Sequence, residues 1–129
     1  MFNQERVEVY EIGKITGAQR QGAFLQELES KTDKGRLRLV LNCSGIRELN
    51  RTTVLLLLSC LELAMMCNGD VRLAAVSPLV EAKLRQVGIS RLFELHATTE
   101  GAILSYNRRS YSIVGLQDET FPQVMAAAS

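Results

Sequence analysis

The chain has 129 residues with nearly balanced charge, 15 Lys and Arg against 14 Asp and Glu, and 47% of it is hydrophobic. That length suits one domain with a full core, and four phenylalanines, three tyrosines and a net charge of +1 argue against a nucleic-acid surface. The 3 cysteines are odd in number and lack a CxxC pair, which argues against a disulfide framework and for a reducing compartment.

The opening MFNQERVEVY carries charge where a secretion signal needs an apolar stretch. The longest apolar run, Val54–Cys67, is broken by Ser59 and Glu62 and falls short of the roughly 20 residues of a membrane span. A soluble, cytoplasmic protein with no direct membrane insertion is expected. Arg6–Ile12 alternates, with Val7, Val9 and Ile12 on one side and Glu8 and Tyr10 on the other, the period of a half-buried strand. Gly13 and Gly17 bracket a turn with a short strand, Lys14–Thr16. Ala18–Lys31 reads as a helix with Ala23, Phe24, Leu25 and Leu28 inward and Gln19, Glu27 and Lys31 solvated. After the polar turn Thr32–Gly35, the run Leu37–Leu41 reads as a buried strand.

The polar turn Asn42–Arg51 then feeds a long apolar helix, Thr52–Cys67. Such a turn and helix N-terminus fall at one edge of a sheet, where sites collect in open α/β folds, and the unpaired N–H groups there suit an anion or a phosphorylated side chain. Cys60 and Cys67, on one face of this helix, read as small core residues. Asn68-Gly69-Asp70 ends it with residues suited to positive φ. Val71–Val76 is the next strand. Ser77-Pro78 starts a helix with a Ser cap and Pro at its first position, running to about Val87 and stopping at Gly88. Leu92–Leu95 is a last short strand, and Thr98 or Thr99 caps a helix ending near Tyr106. The order ββαβαβαβα implies an α/β fold: a mixed, mostly parallel sheet of about four to five strands flanked by about four helices. Residues 1–106 form the domain. Residues 107–129, with Arg108-Arg109 and an edge-strand candidate at Tyr111–Val114, form a partly ordered C-terminal extension.

This order, with Asn42-Cys43-Ser44-Gly45, Asn50-Arg51-Thr52-Thr53-Val54, Asn68-Gly69, Val76-Ser77-Pro78 and Gly88-Ile89-Ser90-Arg91-Leu92-Phe93, resembles the STAS domain, the fold of bacterial anti-sigma-factor antagonists and of sulfate-transporter tails. Members of that family read Asp–x–Ser–Gly after the strand, Asp–Ser–Ser–Gly–Leu at the helix start, and Gly–Leu–x–x–Leu–Phe near the end. The resemblance covers roughly residues 7–106. It departs at the turn: the two motif Asp positions are Asn42 and Asn50, the motif Gly is Thr53, and the residue that a partner kinase would phosphorylate is Arg51. A phosphorylated member carries about −1.5 to −2 there; this chain carries a positive charge.

Asn50 reads first as the N-cap of the Thr52 helix. Thr52 and Thr53 are the remaining phosphorylation candidates, or else ordinary first-turn threonines. Arg51 pairs with a partner carboxylate or is simply solvated. Along the helix, Leu56, Ser59, Leu63 and Met66 line up as a stripe flanked by Leu55 and Glu62. Its occupant is left open between a partner protein, a second copy in a homodimer, and the chain's own 107–129 extension. His96 has no second ligand at metal spacing. The carboxylate pairs Glu27/Glu29 and Asp118/Glu119 lack a companion His or Lys, and no GxxxxGK[ST] loop is present. No catalytic residue, metal or cofactor is expected.

The resemblance implies a non-enzymatic regulatory domain of the bacterial anti-sigma-factor antagonist type. It would act in regulation of transcription by partner switching, presenting Asn50, Arg51, Thr52, Leu56, Leu63 and Met66 to an anti-sigma factor or kinase-like regulator. The second reading is an assembly subunit of a membrane ABC transporter or of a larger signalling complex.

Overall fold

A computed structural model describes residues 7–15 and 17–106. Four strands form one sheet: β1 (Val7–Glu11), β2 (Arg38–Asn42), β3 (Asp70–Ala74) and β4 (Glu94–His96). They lie in sequence order and every pairing is parallel, Val9 opposite Val40, Val40 opposite Arg72, and Leu73 opposite Leu95. The connecting helices are α1 (Ala18–Lys31), α2 (Arg51–Met66) and α3 (Pro78–Gln86); a fourth, α4, occupies residues 99–106. Successive right-handed crossovers stepping in one direction put α1, α2 and α3 on the same face.

The main core forms there. Leu39, Leu41, Val71 and Leu73 of the sheet meet Phe24 and Leu28 of α1, Leu57, Cys60 and Ala64 of α2, and Val80 and Leu84 of α3. The opposite face is thinner: Val40 and Ala74 meet Ala102 and Tyr106 of α4. The central strands β2 and β3 are apolar on the main-core face, whereas on the α4 face Val40 and Ala74 share the surface with Asn42 and the buried, charged Arg72.

The expected helix boundaries hold because their caps are local. Ser77 Oγ accepts from the Val80 N–H at 3.2 Å, with Pro78 in the first turn. Thr98 Oγ1 accepts from the Gly101 N–H at 2.9 Å, which settles Thr98 over Thr99 as the cap of α4. Asn68 takes φ +60°, ending α2 as expected.

Two local expectations are corrected. The strand at Lys14–Thr16 is not found: Ile12–Lys14 is a 3-10 turn, and Thr16 is outside the described residues. Of the two sides that alternation gives β1, the Tyr10 side faces the main core, its ring edge-on to Phe24 at 5.0 Å; Val9 is exposed. Lys31 is half-buried rather than solvated, its Nζ donating to Glu8 Oε1 at 2.6 Å and to the Tyr10 hydroxyl at 2.8 Å. The carboxylate of Glu8 and the hydroxyl of Tyr10 hold that ammonium well above the usual lysine range. The expected edge strand Tyr111–Val114 and the rest of the 107–129 extension lie outside the described residues.

Candidate functional site

Parallel strands deliver their following loops to one rim of the sheet. The largest of these is the β2–α2 turn. Two apolar side chains pin it: Ile46 and Leu49 are buried in the main core. Its backbone is tied to the sheet by the Cys43 N–H, which donates to the Ala74 carbonyl at 2.8 Å. The turn also lies directly against the β1–α1 connection, where a Cβ on Gly13 would come within 2.9 Å of the Gly45 backbone. The residues between these anchors, Ser44, Gly45, Arg47, Glu48, Asn50 and Arg51, are exposed.

Both asparagines at the motif positions act through their oxygens. Asn42 Oδ1 accepts from the Ser44 N–H at 2.9 Å, starting the turn. Its Nδ2 donates to Thr99 Oγ1 at 3.3 Å, tying the turn to α4. Asn50 Oδ1 accepts from the Thr53 N–H at 2.9 Å and caps α2. An aspartate at either position would supply the same acceptor and add a negative charge to the rim.

Arg51 is the first residue of α2, and that first turn contains no acidic side chain. A cation there opposes the positive end of the helix dipole, at a cost of about 0.3–1 kcal/mol. Thr52 beside it is exposed, and Thr53 is half-buried with its N–H engaged by Asn50.

The docking stripe expected on α2 is corrected at Leu56 and Leu63, while Met66 is exposed as expected. Leu56 is 2% exposed and belongs to the core, and Leu63 is half-buried against it. The outward line runs instead through Arg51, Leu55, Glu62 and Met66, with Leu55 and Met66 both more than half exposed. A helix apolar all round gives no phase from sequence, so only the packed sheet could choose the buried face.

Two open grooves flank the Asn50 turn. One, of about 440 Å³, runs between the turn and the start of α1 and includes Gly13, Gln21, Gly45, Thr52 and Thr53. The other, of about 600 Å³, lies between the turn and α3 and adds Leu79, Lys83 and Val87 to Arg47, Arg51 and Val54. The α3 residues were missed from sequence. Their signal was the buried pair Val80 and Leu84, one turn apart, which leaves Leu79, Lys83 and Val87 as the neighbouring exposed line.

The Cys43 and Cys60 thiols are buried in the main core. Burial pushes both Cys43 and Cys60 up to about 12. His96 Nε2 lies 2.7 Å from Glu94 Oε1, and among the described residues no three His, Cys, Asp or Glu side chains converge in a metal-ligating group. No helix among those residues is long and apolar enough to cross a membrane.

Fold and rim together define an α/β domain with open surface grooves at the strand C-termini. The chain belongs to the STAS domain family, whose profile matches residues 4–102. Solved structures agree on the fold. An anti-sigma-factor antagonist (STAS) domain protein from Planctomyces limnophilus is 13% identical over 77% of this chain and 87% of its own, with a TM-score of 0.61. The protein TM1081, determined by NMR, is 16% identical over 78% of this chain and 81% of its own, with a TM-score of 0.67. Its crystal form, described as a candidate anti-sigma factor antagonist from Thermotoga maritima, gives 15%, 78%, 82% and a TM-score of 0.57. No curated protein matches the chain in sequence.

Proposed function

We propose that this STAS domain is a cytoplasmic, non-enzymatic regulatory module that docks its Asn50 turn and the start of α2 onto an anti-sigma factor or kinase-like regulator, and works by partner switching. The observation that carries the reading is the anchoring of the turn. Ile46 and Leu49 lock it into the core, Asn50 caps α2, and Arg51 is held exposed against its own helix dipole. A rigid exposed turn with a locally unfavourable cation suits recognition of a partner carboxylate better than it suits stability. The two solved relatives described as anti-sigma-factor antagonists are consistent with this choice of partner.

Arg51 occupies the family's phosphoacceptor position and cannot take phosphate. Binding is then constitutive or set by partner abundance, unless Thr52 or Thr53 is modified. Thr52 is the better acceptor of the two, being exposed while Thr53 is half-buried.

Affinity capture of the full chain from its host tests the reading. Retention of a kinase-type anti-sigma factor by the parent, with at least about tenfold weaker retention by Arg51→Glu, is expected. Undiminished binding by that variant would remove Arg51 from the interface. Capture of a transporter ATPase instead would transfer the domain to the assembly role. Intact-mass measurement with the cognate kinase reads modification at Thr52 or Thr53 directly.

A further inference from the structure

The groove between the Asn50 turn and α3 is built from two opposed kinds of surface. Its walls are apolar: Leu79 is 78% exposed and Val87 44%, with Val54 at the base. Leu79, Lys83 and Val87 are four residues apart in turn, so they form one line along α3, about 12 Å long at 1.5 Å per residue. Its rim is cationic, with Arg47, Arg51 and Lys83 against the single carboxylate of Glu48 among the lining residues. Among the described residues none of those three cations is in an ion pair, whereas Arg85 of the same helix pairs with Glu81 at 2.7 Å.

A groove about two helical turns long, apolar at Leu79, Val54 and Val87, with Lys83 between the α3 pair and Arg47 and Arg51 outnumbering Glu48 on the opposite side, has the complement of one type of ligand. We propose that this groove docks an amphipathic helix of a partner protein, with apolar residues at i, i+3 or i+4, and i+7 seated on Leu79, Val54 and Val87, and acidic residues flanking them to meet Arg51, Lys83 and Arg47. The inference rests on the docking role of the Asn50 turn and deepens it, because Arg51 serves both. It adds α3 to the interface and assigns the partner's chemistry.

The test titrates a synthetic helical peptide, leucine at those spacings and glutamate on both flanks, into the full isotope-labelled chain. Saturable binding is expected, with amide shifts concentrated at Arg51, Val54, Leu79, Lys83 and Val87. A peptide with lysine in place of each glutamate should bind at least about tenfold more weakly. Leu79→Asp and Lys83→Glu should each weaken the acidic peptide at least about tenfold, with melting curves like the parent because both side chains are exposed. Equal binding of the two peptides, shifts centred elsewhere, or no saturation overturns the proposal. So does an occupied groove in the peptide-free chain, either a second copy, seen as concentration-dependent shifts at the same residues, or the chain's own residues 107–129, seen as contacts to Leu79. The two readings fail separately. A captured regulator sensitive to Arg51→Glu but indifferent to Leu79→Asp sinks the groove alone. A groove that takes the acidic helix in a chain that captures no regulator sinks the sigma-control reading alone.

Discussion

The Arg72 guanidinium carbon lies 3.9 Å from the centre of the Tyr106 ring. Arg72 is 1% exposed in the centre of the sheet, on the face covered by α4. Its charge is met by Asp70 at 2.7 Å and Glu94 at 2.9 Å, and its Nε donates to Ser105 Oγ at 2.6 Å. The Tyr106 hydroxyl donates to the Leu39 carbonyl at 2.9 Å, so one aromatic side chain fastens α4 to two strands. Arg72→Ala should cost about 2–4 kcal/mol, from lost stacking, lost packing of the stem and the lost ion pairs to Asp70 and Glu94. Tyr106→Phe, which keeps the ring and loses the hydroxyl, should cost only about 1 kcal/mol. Urea unfolding of both variants gives the comparison, and equal costs would show that the stack is not what matters.

The α2–β3 connection passes so close to the chain before β2 that a Cβ on Gly69 would sit 2.0 Å from the Leu37 carbonyl oxygen. That oxygen also accepts from the Asp70 N–H at 3.1 Å, so the contact belongs to the sheet ladder. Gly69→Ala should therefore destabilise by about 3 kcal/mol or more. Gly22, inside α1, has open space around it, and Gly22→Ala should stabilise by about 0.5–1 kcal/mol. Thermal melts of the pair should move in opposite directions.

At the rim, stability and recognition pull apart. Arg51→Glu replaces a cation at the start of α2 with an anion, so the fold should gain about 0.5–1 kcal/mol while partner binding falls. Asn50→Ala removes the acceptor of the Thr53 N–H and should cost about 1 kcal/mol. Chemical denaturation beside a binding measurement separates the two effects. An Arg51→Glu chain less stable than the parent would contradict the dipole account.

Alkaline pH should expose the buried acids. Burial raises the Cys43 and Cys60 thiols from 9.0 to about 12, and burial, more than the opposing Arg72 charge, raises Tyr106 from 10.0 to about 12. The unfolded chain releases these protons first. Stability is therefore undiminished by them below pH about 9 and declines between about 9 and 12, by about 1.4 kcal/mol per pH unit for each proton in play. Urea midpoints across that range should fall, and Cys60→Ala should shallow the decline. At pH 8 a thiol reagent should label Cys67, which is half-buried, well before Cys43 and Cys60. Equal labelling of all three in the native protein would mean that the core opens more readily than its packing implies.

What the sequence determined by itself was local. The Ser77-Pro78 start, the Asn68 stop, the Asn50 cap and the strand runs carry their own signals. Their spacing was sufficient for the α/β order and for the family. Tertiary structure decided orientation. The run Thr52–Cys67 is apolar on every side, so no periodicity could say that Leu56 turns inward and Leu55 outward; the sheet beneath it does. In β1, alternation gave two sides but not which layer each would meet, because α1 covers one face and α4 the other. The α2–α3 groove joins residues more than 30 positions apart, Arg47 to Lys83, and exists only because parallel crossovers stack those helices side by side on one face of the sheet.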